Sequence, residues 1–299
     1  MFNYPIIFLG LYLALTNYFI DQNVKNFDHP FDFSKYKFAP KPVVVKKSEV
    51  DSTLLFPTNI PKVAGISFHV KNYQSKYEIK YLLIGDSKKV SLIPSIKQHN
   101  SFEKILLSHQ EGNFFLMNAG MFHPNFNSVG LTIADGEVKQ NLDTLTSVQN
   151  GNFYLYPNGV FTIDKNNKPS ISTTQDFVKA KVNLKDLSLA TQSGPMLVIN
   201  NQIHPAFSAT SKNTNVRNGV GINDKGEIIF AISETEITFY DFATFFKDEL
   251  HCSNALYLDG TISEIYYWDR QRKRFSHTPR IGNGKFGPIF MVNLNEEKK

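Results

Sequence analysis

Two short apolar runs end in polar residues held on small-residue turns. Phe114-Phe115-Leu116-Met117 leads into Asn118-Ala119-Gly120, and Ala255-Leu256-Tyr257-Leu258 leads into Asp259-Gly260. Each run follows a stretch with helical apolar spacing. Where strands and helices alternate, ligands collect at the carboxyl ends of the strands. Asn118 and Asp259 are therefore expected on rigid backing at a site. A carboxylate there can take a proton from water or stabilise a cationic carbon. Singly, Asn or Asp before a small residue is a turn former; the repetition singles these two out. Arg217 opens the run Arg217-Asn218-Gly219-Val220-Gly221-Ile222, which reads as a buried strand. At the rim of a sheet its guanidinium fork would match a carboxylate or phosphate. The alternative is an arginine in solvent.

In Thr191-Gln192-Ser193-Gly194-Pro195, Gly194 and Pro195 predict a sharp bend that exposes Ser193. The run lacks the paired glycines of a nucleophile elbow, so Ser193 reads as a hydrogen-bonding residue. His123 and His204 each precede proline. Either could line a site as a proton carrier or be an isolated structural histidine. No His-x-His, His-Glu-x-x-His or paired-cysteine spacing is present, which argues against zinc. No glycine-rich phosphate loop with lysine follows a strand. No cofactor is expected; Ca²⁺ in acidic loops has no ligand pattern behind it. Cys252, the sole cysteine, reads as a small buried hydrophobe at the end of a helix. The cluster Arg270, Arg272, Lys273, Arg274 reads as a solvated hairpin tip that could draw in an anion.

The elements that must position these residues are mostly strands. Twenty-six Phe and thirteen Tyr in 299 residues favour sheet. Ala134-Asp135-Gly136, Pro157-Asn158-Gly159, Asn200-Asn201 and Asp224-Lys225-Gly226 predict hairpins. Two helices are expected. One spans Ser101 to His109, with Phe102, Ile105 and Leu106 on one face. The other spans Phe239 to Leu250, with a stripe of Phe239, Phe242, Ala243, Phe246 and Leu250, capped by Thr238 with Asp241 opposite. Two strand–helix–strand units follow: Tyr77 to Ile84 with the strand ending at Met117, and Glu227 to Ser233 with the strand ending at Leu258. The expected fold class is α+β: mixed, largely antiparallel sheet or sheets with helices packed on one face.

A net charge of +5 is too mild for a dedicated nucleic-acid binder. It suits a small anionic substrate or a negative envelope surface. Residues 1–20 carry an apolar core, Pro5 to Leu15, expected to be a signal peptide or an N-terminal anchor. Residues 21–53 read as a Pro- and Lys-bearing linker, 54–293 as one folded domain, and 294–299 as a solvated tail. Membrane contact is expected only through the N-terminal segment, and location is expected to be extracytoplasmic, in a periplasm or secreted.

Four blocks occur in a telling order: Met117-Asn118-Ala119-Gly120-Met121-Phe122, Gln192-Ser193-Gly194-Pro195-Met196-Leu197, Arg217-Asn218-Gly219-Val220-Gly221, and Leu258-Asp259-Gly260-Thr261-Ile262-Ser263. Together they resemble the phosphodiester glycosidase domain family, typified by the uncovering enzyme. Gly151-Asn152-Phe153 and Pro157-Asn158-Gly159-Val160-Phe161 are similar to a mainly bacterial branch whose substrate is unsettled. The resemblance implies hydrolysis of a sugar 1-phosphodiester at the glycosidic C–O bond, in a glycan or glycolipid. It implies Asp259, Arg217 and Asn118 in the catalytic pocket, with Ser193, Gly120 and Gly260 shaping it; His123, Gly194, Thr261 and Ser263 are expected beside them as substrate-binding residues. The chain departs from the family in Ala119 and Thr261, where glycine is common. The partner implied is a small carbohydrate phosphodiester or a cell-envelope glycan. Two other readings stand beside it: an envelope protein that binds phosphorylated glycans without turnover, and a phosphodiesterase that cuts P–O.

Overall fold

The structure is a computed structural model that describes residues 64–95, 98–109, 112–145, 151–260, 262–268, 275–276 and 284–295. The expected signal or anchor, the linker, residues 54–63 of the expected domain, the tail beyond Asn295, Thr261 and the Arg270–Arg274 cluster lie outside these. Among the described residues, strands form three sheets with antiparallel neighbours throughout. The first has seven strands in the order β1 (Ile66–Tyr73), β2 (Tyr77–Ile84), β13 (Ile228–Ser233), β12 (Asn218–Asn223), β14 (Cys252–Asp259), β10 (Met196–Ile199) and β11 (Gln202–Ile203). The second runs β16 (Phe275–Ser276), β15 (Ile265–Trp268), β4 (Phe114–Asn118), β17 (Ile289–Asn293) and β3 (Val90–Ile93). The third runs β6 (Glu137–Gln140), β5 (Thr132–Ala134), β9 (Leu187–Ser193), β7 (Gly159–Asp164) and β8 (Pro169–Thr173).

Alternation along the strands sends one set of side chains to a shared core and the other set outward. Phe115 and Met117, Phe161 and Ile163, Phe230 and Ile232, and Leu256 and Leu258 all enter the shared core. Its centre is a trio of rings, one per sheet: Phe230 lies 4.7 Å from Phe290, and Phe161 lies 5.8 Å from Phe290. The outer faces are covered by helices. Phe102 and Ile105 of α1 (Phe102–Ser108) pack beside Leu116 and Tyr266. Phe177 of α2 (Thr174–Lys179) packs on Val160 and Ala190. The aromatic stripe of α3 (Phe239–Thr244), continued as a π-helical turn over Phe245–Glu249, packs on Ile229, Ala255 and Tyr257. The fold is thus α+β with largely antiparallel sheets, as the strand-rich composition predicts.

Local chemistry explains the turns. Asp135 and Gly136 have φ of 52° and 74°, and Asn200 and Asn201 have 47° and 65°, the left-handed pair that a two-residue hairpin needs. Gly226 closes the turn after Asn223 with φ 80°. Thr238 caps α3, its hydroxyl oxygen accepting the Asp241 N–H at 3.0 Å. Asp241 does not complete a backbone capping box: its carboxylate accepts from the Thr238 and Tyr77 hydroxyls.

Three expectations are corrected. Pro157-Asn158-Gly159 is no hairpin, because the preceding residues form a 3₁₀ turn (Asn152–Tyr154) and the Asn158 side chain donates to the Phe153 carbonyl. The first strand–helix–strand unit does not exist, because β2 and β4 belong to different sheets. The second does: β13 and β14 run parallel on either side of β12, joined across α3. Cys252 is buried as expected, but it opens β14 instead of ending a helix, and burial pushes its thiol pKa up.

Candidate active site

Strand ends from all three sheets meet at one place. Asn118 ends β4, Asn218 opens β12, Asp259 ends β14, and Ser193 ends β9. Asn218 and Asp259 are register partners. The Asn218 side chain joins the group: its Nδ2 donates to the Asn118 carbonyl at 2.9 Å and to Asn118 Oδ1 at 3.1 Å. Its Oδ1 accepts the Asp259 backbone N–H at 2.9 Å and the Ser263 hydroxyl at 3.1 Å. The Glu264 N–H donates to Asn118 Oδ1 at 2.8 Å. Ser193 ties in the third sheet, its hydroxyl donating to the Leu258 carbonyl at 2.8 Å. Asn118, Ser193, Asn218 and Ser263 are all buried. Hydrogen bonds to neighbouring strands compensate buried amides, and they also set the mutual positions of the three sheets.

Asp259 keeps some residue surface, yet its carboxyl group sits deep enough that desolvation pushes its pKa up to about 7, opposed by the Gly260 N–H that donates to Oδ1. Burial disfavours the charged form of a carboxyl. Near neutral pH this group exchanges a proton readily, the condition a general base or acid needs.

Arg217 is fully buried, neither at a solvent-facing rim nor in solvent. Its Nε–H donates to the Ile237 carbonyl at 2.9 Å, and an Nη2–H donates to the Asn213 carbonyl at 3.3 Å. The guanidinium stacks 3.6 Å above the centre of Phe239 and lies 5.8 Å from that of Tyr257. The stack continues: Phe207 lies on Phe239 at 4.9 Å, and His204 on Phe207 at 4.7 Å. The His204 ring is buried, and desolvation holds its pKa down at about 4, against the raising effect of the Tyr156 backbone. His204 is therefore neutral at physiological pH and is no proton carrier there.

The remaining expected residues divide. Gly120 lies against β9, where a Cβ would stand 2.7 Å from Thr191 Oγ1 and 2.9 Å from the Gln192 carbonyl. Gly260 faces the Tyr257 hydroxyl with no room for a side chain. Gly194 packs on Asn158. Ser193 is not exposed by the Gly194–Pro195 bend; it is wholly buried. Ser263 joins the network. His123 is exposed on the turn after β4, where its carbonyl accepts from the Phe126 N–H, and the structure does not tie its ring to Asn118 or Asp259. Asn218 is a site residue that the sequence reading misses, although it stands directly after Arg217; a polar residue opening an otherwise apolar strand is the available signal. Phe239 read as core alone, and nothing local marks it as the arginine's platform. Among the described residues, no three His, Cys, Asp or Glu side chains are grouped to hold a metal ion, and no helix is long and apolar enough to cross a membrane.

The family model for phosphodiester glycosidase matches residues 112–288, which include all four strand ends. The Escherichia coli (strain K12) protein YigE, described as uncharacterized, is 37% identical over 150 residues. That match spans 50% of this chain and 56% of YigE, about half the length of each. Among solved structures, the catalytic domain of zebrafish N-acetylglucosamine-1-phosphodiester alpha-N-acetylglucosaminidase, auto-inhibited by its pro-peptide, superposes with a TM-score of 0.54 at 14% identity. The superposition covers 77% of this chain and 82% of that one, and it is a likeness of fold.

Proposed function

The chain belongs to the phosphodiester glycosidase family, and on that premise we propose that it is an exported hydrolase that cleaves a sugar 1-phosphodiester at the glycosidic C–O bond. The observation that carries this reading is Asp259, whose pKa of about 7 suits proton transfer at neutral pH, at the meeting point of three sheets. An ordinary glycosidase needs one carboxylic acid to protonate a poor leaving oxygen and a second carboxyl group opposite it. Here the leaving group is a phosphate monoester, already a stable anion, so the first demand is relaxed.

In this mechanism water adds to the sugar C1 and its proton passes to the Asp259 carboxylate. The C1–O bond breaks, and its electron pair stays on the phosphate oxygen. The products are the free sugar and a phosphate monoester. The Arg217 charge stabilises the negative charge growing on the leaving phosphate, and Asn118 contacts the substrate beside it. Gly120 and Gly260 let the backbone pack closely around the site, where a Cβ would meet Thr191 or Tyr257. Export is supported by the apolar stretch Pro5 to Leu15. A defined sugar 1-phosphodiester, such as a methyl ester of N-acetylglucosamine 1-phosphate, should release free sugar and methyl phosphate when incubated with the protein. Tight binding of the intact diester with no product would instead make the protein a phosphoglycan binder.

A further inference from the structure

The geometry points to Asn218 as a positioning residue that locks the Asn118 amide donor-first into the site, so that Asn118 recognises a hydrogen-bond acceptor oxygen of the substrate. This rests on the reading of the site given above.

The Asp259 backbone N–H donates to Asn218 Oδ1, and the Ser263 hydroxyl is shared between that oxygen and the Asp259 carbonyl. Rotating the Asn218 amide by half a turn would set its NH₂ against the Asp259 N–H. The orientation is therefore determined by the network, and Nδ2 must face Asn118. There it donates to both the carbonyl and Oδ1 of Asn118. The Glu264 N–H donates to the same Oδ1 at 2.8 Å. Two donors on Oδ1 fix the Asn118 amide in turn, because a flip would oppose its NH₂ to both. What remains is the Asn118 NH₂, which is buried, with no hydrogen-bond partner among the described residues.

Native proteins seldom leave a buried donor without an acceptor. An amide whose oxygen is held by two bonds yet presents an unanswered NH₂ is preorganised for an acceptor supplied by a ligand. The strongest acceptors that a sugar phosphodiester can offer are its phosphoryl oxygens and, where the sugar is N-acylated, the amide carbonyl. The shared chemistry is an oxygen that accepts without donating, and Asn118 is set against reading a pure donor.

The test uses the full chain with ¹⁵N-labelled asparagine, identifying the Asn118 side-chain amide signal by its loss in Asn118→Asp. Glucose 1-phosphate carries the phosphoryl source alone, N-acetylglucosamine the carbonyl source alone, and N-acetylglucosamine 1-phosphate both. The Asn118 NH₂ signals are expected to shift with the double probe and with one of the single probes, which identifies the source. Asn218→Asp keeps acceptors for Asp259 and Ser263 but turns an oxygen toward Asn118, forcing its amide to reverse. Affinity for the double probe should then fall at least tenfold at a temperature where circular dichroism shows the variant fully folded, an outcome a merely structural Asn218 would not give. Asn118→Asp should match that loss, which keeps the test open if Asn218→Asp does not fold. If the protein turns over the diester while no probe moves the Asn118 amide, the donor subsite is wrong and the hydrolase stands. If the amide moves but no diester is cleaved, the subsite stands and the hydrolase falls.

Discussion

Arg217 and Asn218 are neighbours in the chain, both fully buried, and they are held by different physics. Asn218 sits in a directional network in which each amide atom bonds to a named partner on another strand. Arg217 lies in an aromatic column, its cation on Phe239, Phe207 behind that, and a neutral His204 at the end. Hydrogen-bond networks fix position to a fraction of an ångström but collapse when one member is removed. A cation–π stack holds a plane and tolerates sliding, contributing about 0.5–2 kcal/mol. One region sets where atoms stand; the other keeps a full charge in an apolar setting.

The comparison breaks most visibly at Asp259. Asp259→Asn retains the backbone N–H that Asn218 accepts, so the network should survive. Turnover should fall by about 10³, within the range for loss of a general acid–base group. Steady-state kinetics beside a thermal melt would check this, and a variant with near-normal turnover would remove Asp259 from the chemistry. On the other side, Arg217→Lys keeps the charge but loses the planar stack and the fork to the Ile237 and Asn213 carbonyls. A fall of about 10² in kcat/KM is expected. Equal activity in the lysine variant would show that charge alone matters and that the aromatic column is packing.

A smaller effect separates the two regions by pH. Asp259 has a folded pKa of about 7, above its usual 3.8, so the folded protein holds a proton that the unfolded chain has lost. That contribution is full below about pH 4 and is lost as pH rises to 7. His204 has a folded pKa of about 4, below its usual 6.5. Its contribution is present above about pH 6.5 and is lost as pH falls toward 4. At about 1.4 kcal/mol per pKa unit, each amounts to a few kcal/mol, and in the intact protein they oppose one another. Relative to the unaltered protein, Asp259→Asn should therefore gain stability as pH rises from 4.5 to 6.5. His204→Phe, which keeps the ring stack, should lose stability over the same interval. Urea midpoints at the two pH values would show it, and parallel profiles for both variants would contradict the assignments.

Legibility in the sequence follows the same division. The placement of Asn118 and Asp259 at strand ends was readable because an apolar run ending on a polar residue and a small turn is a local pattern. Three hairpins were readable because Asp-Gly, Asn-Asn and Asp-Lys-Gly carry their own left-handed preference. The turn at Gln74-Ser75, with φ of 53° and 52°, was not, since neither residue advertises it. Asn218 escaped because its value lies in contacts 41 and 100 residues away, to Asp259 and Asn118. The burial of Arg217 escaped for a similar reason: its platform, Phe239, belongs to a helix read correctly as core. Which sheet each strand joins is non-local too, and so β2 and β4 were wrongly paired in one unit.

In the proposed reaction water attacks the sugar carbon and the phosphate departs intact. Hydrolysis of a sugar 1-phosphodiester in ¹⁸O-labelled water, followed by ³¹P NMR of the released phosphate monoester, tests it without interference from oxygen exchange at the free sugar. The phosphate signal is expected at the unlabelled position. An isotope-shifted signal, showing solvent oxygen bonded to phosphorus, would mean P–O cleavage and would contradict the account.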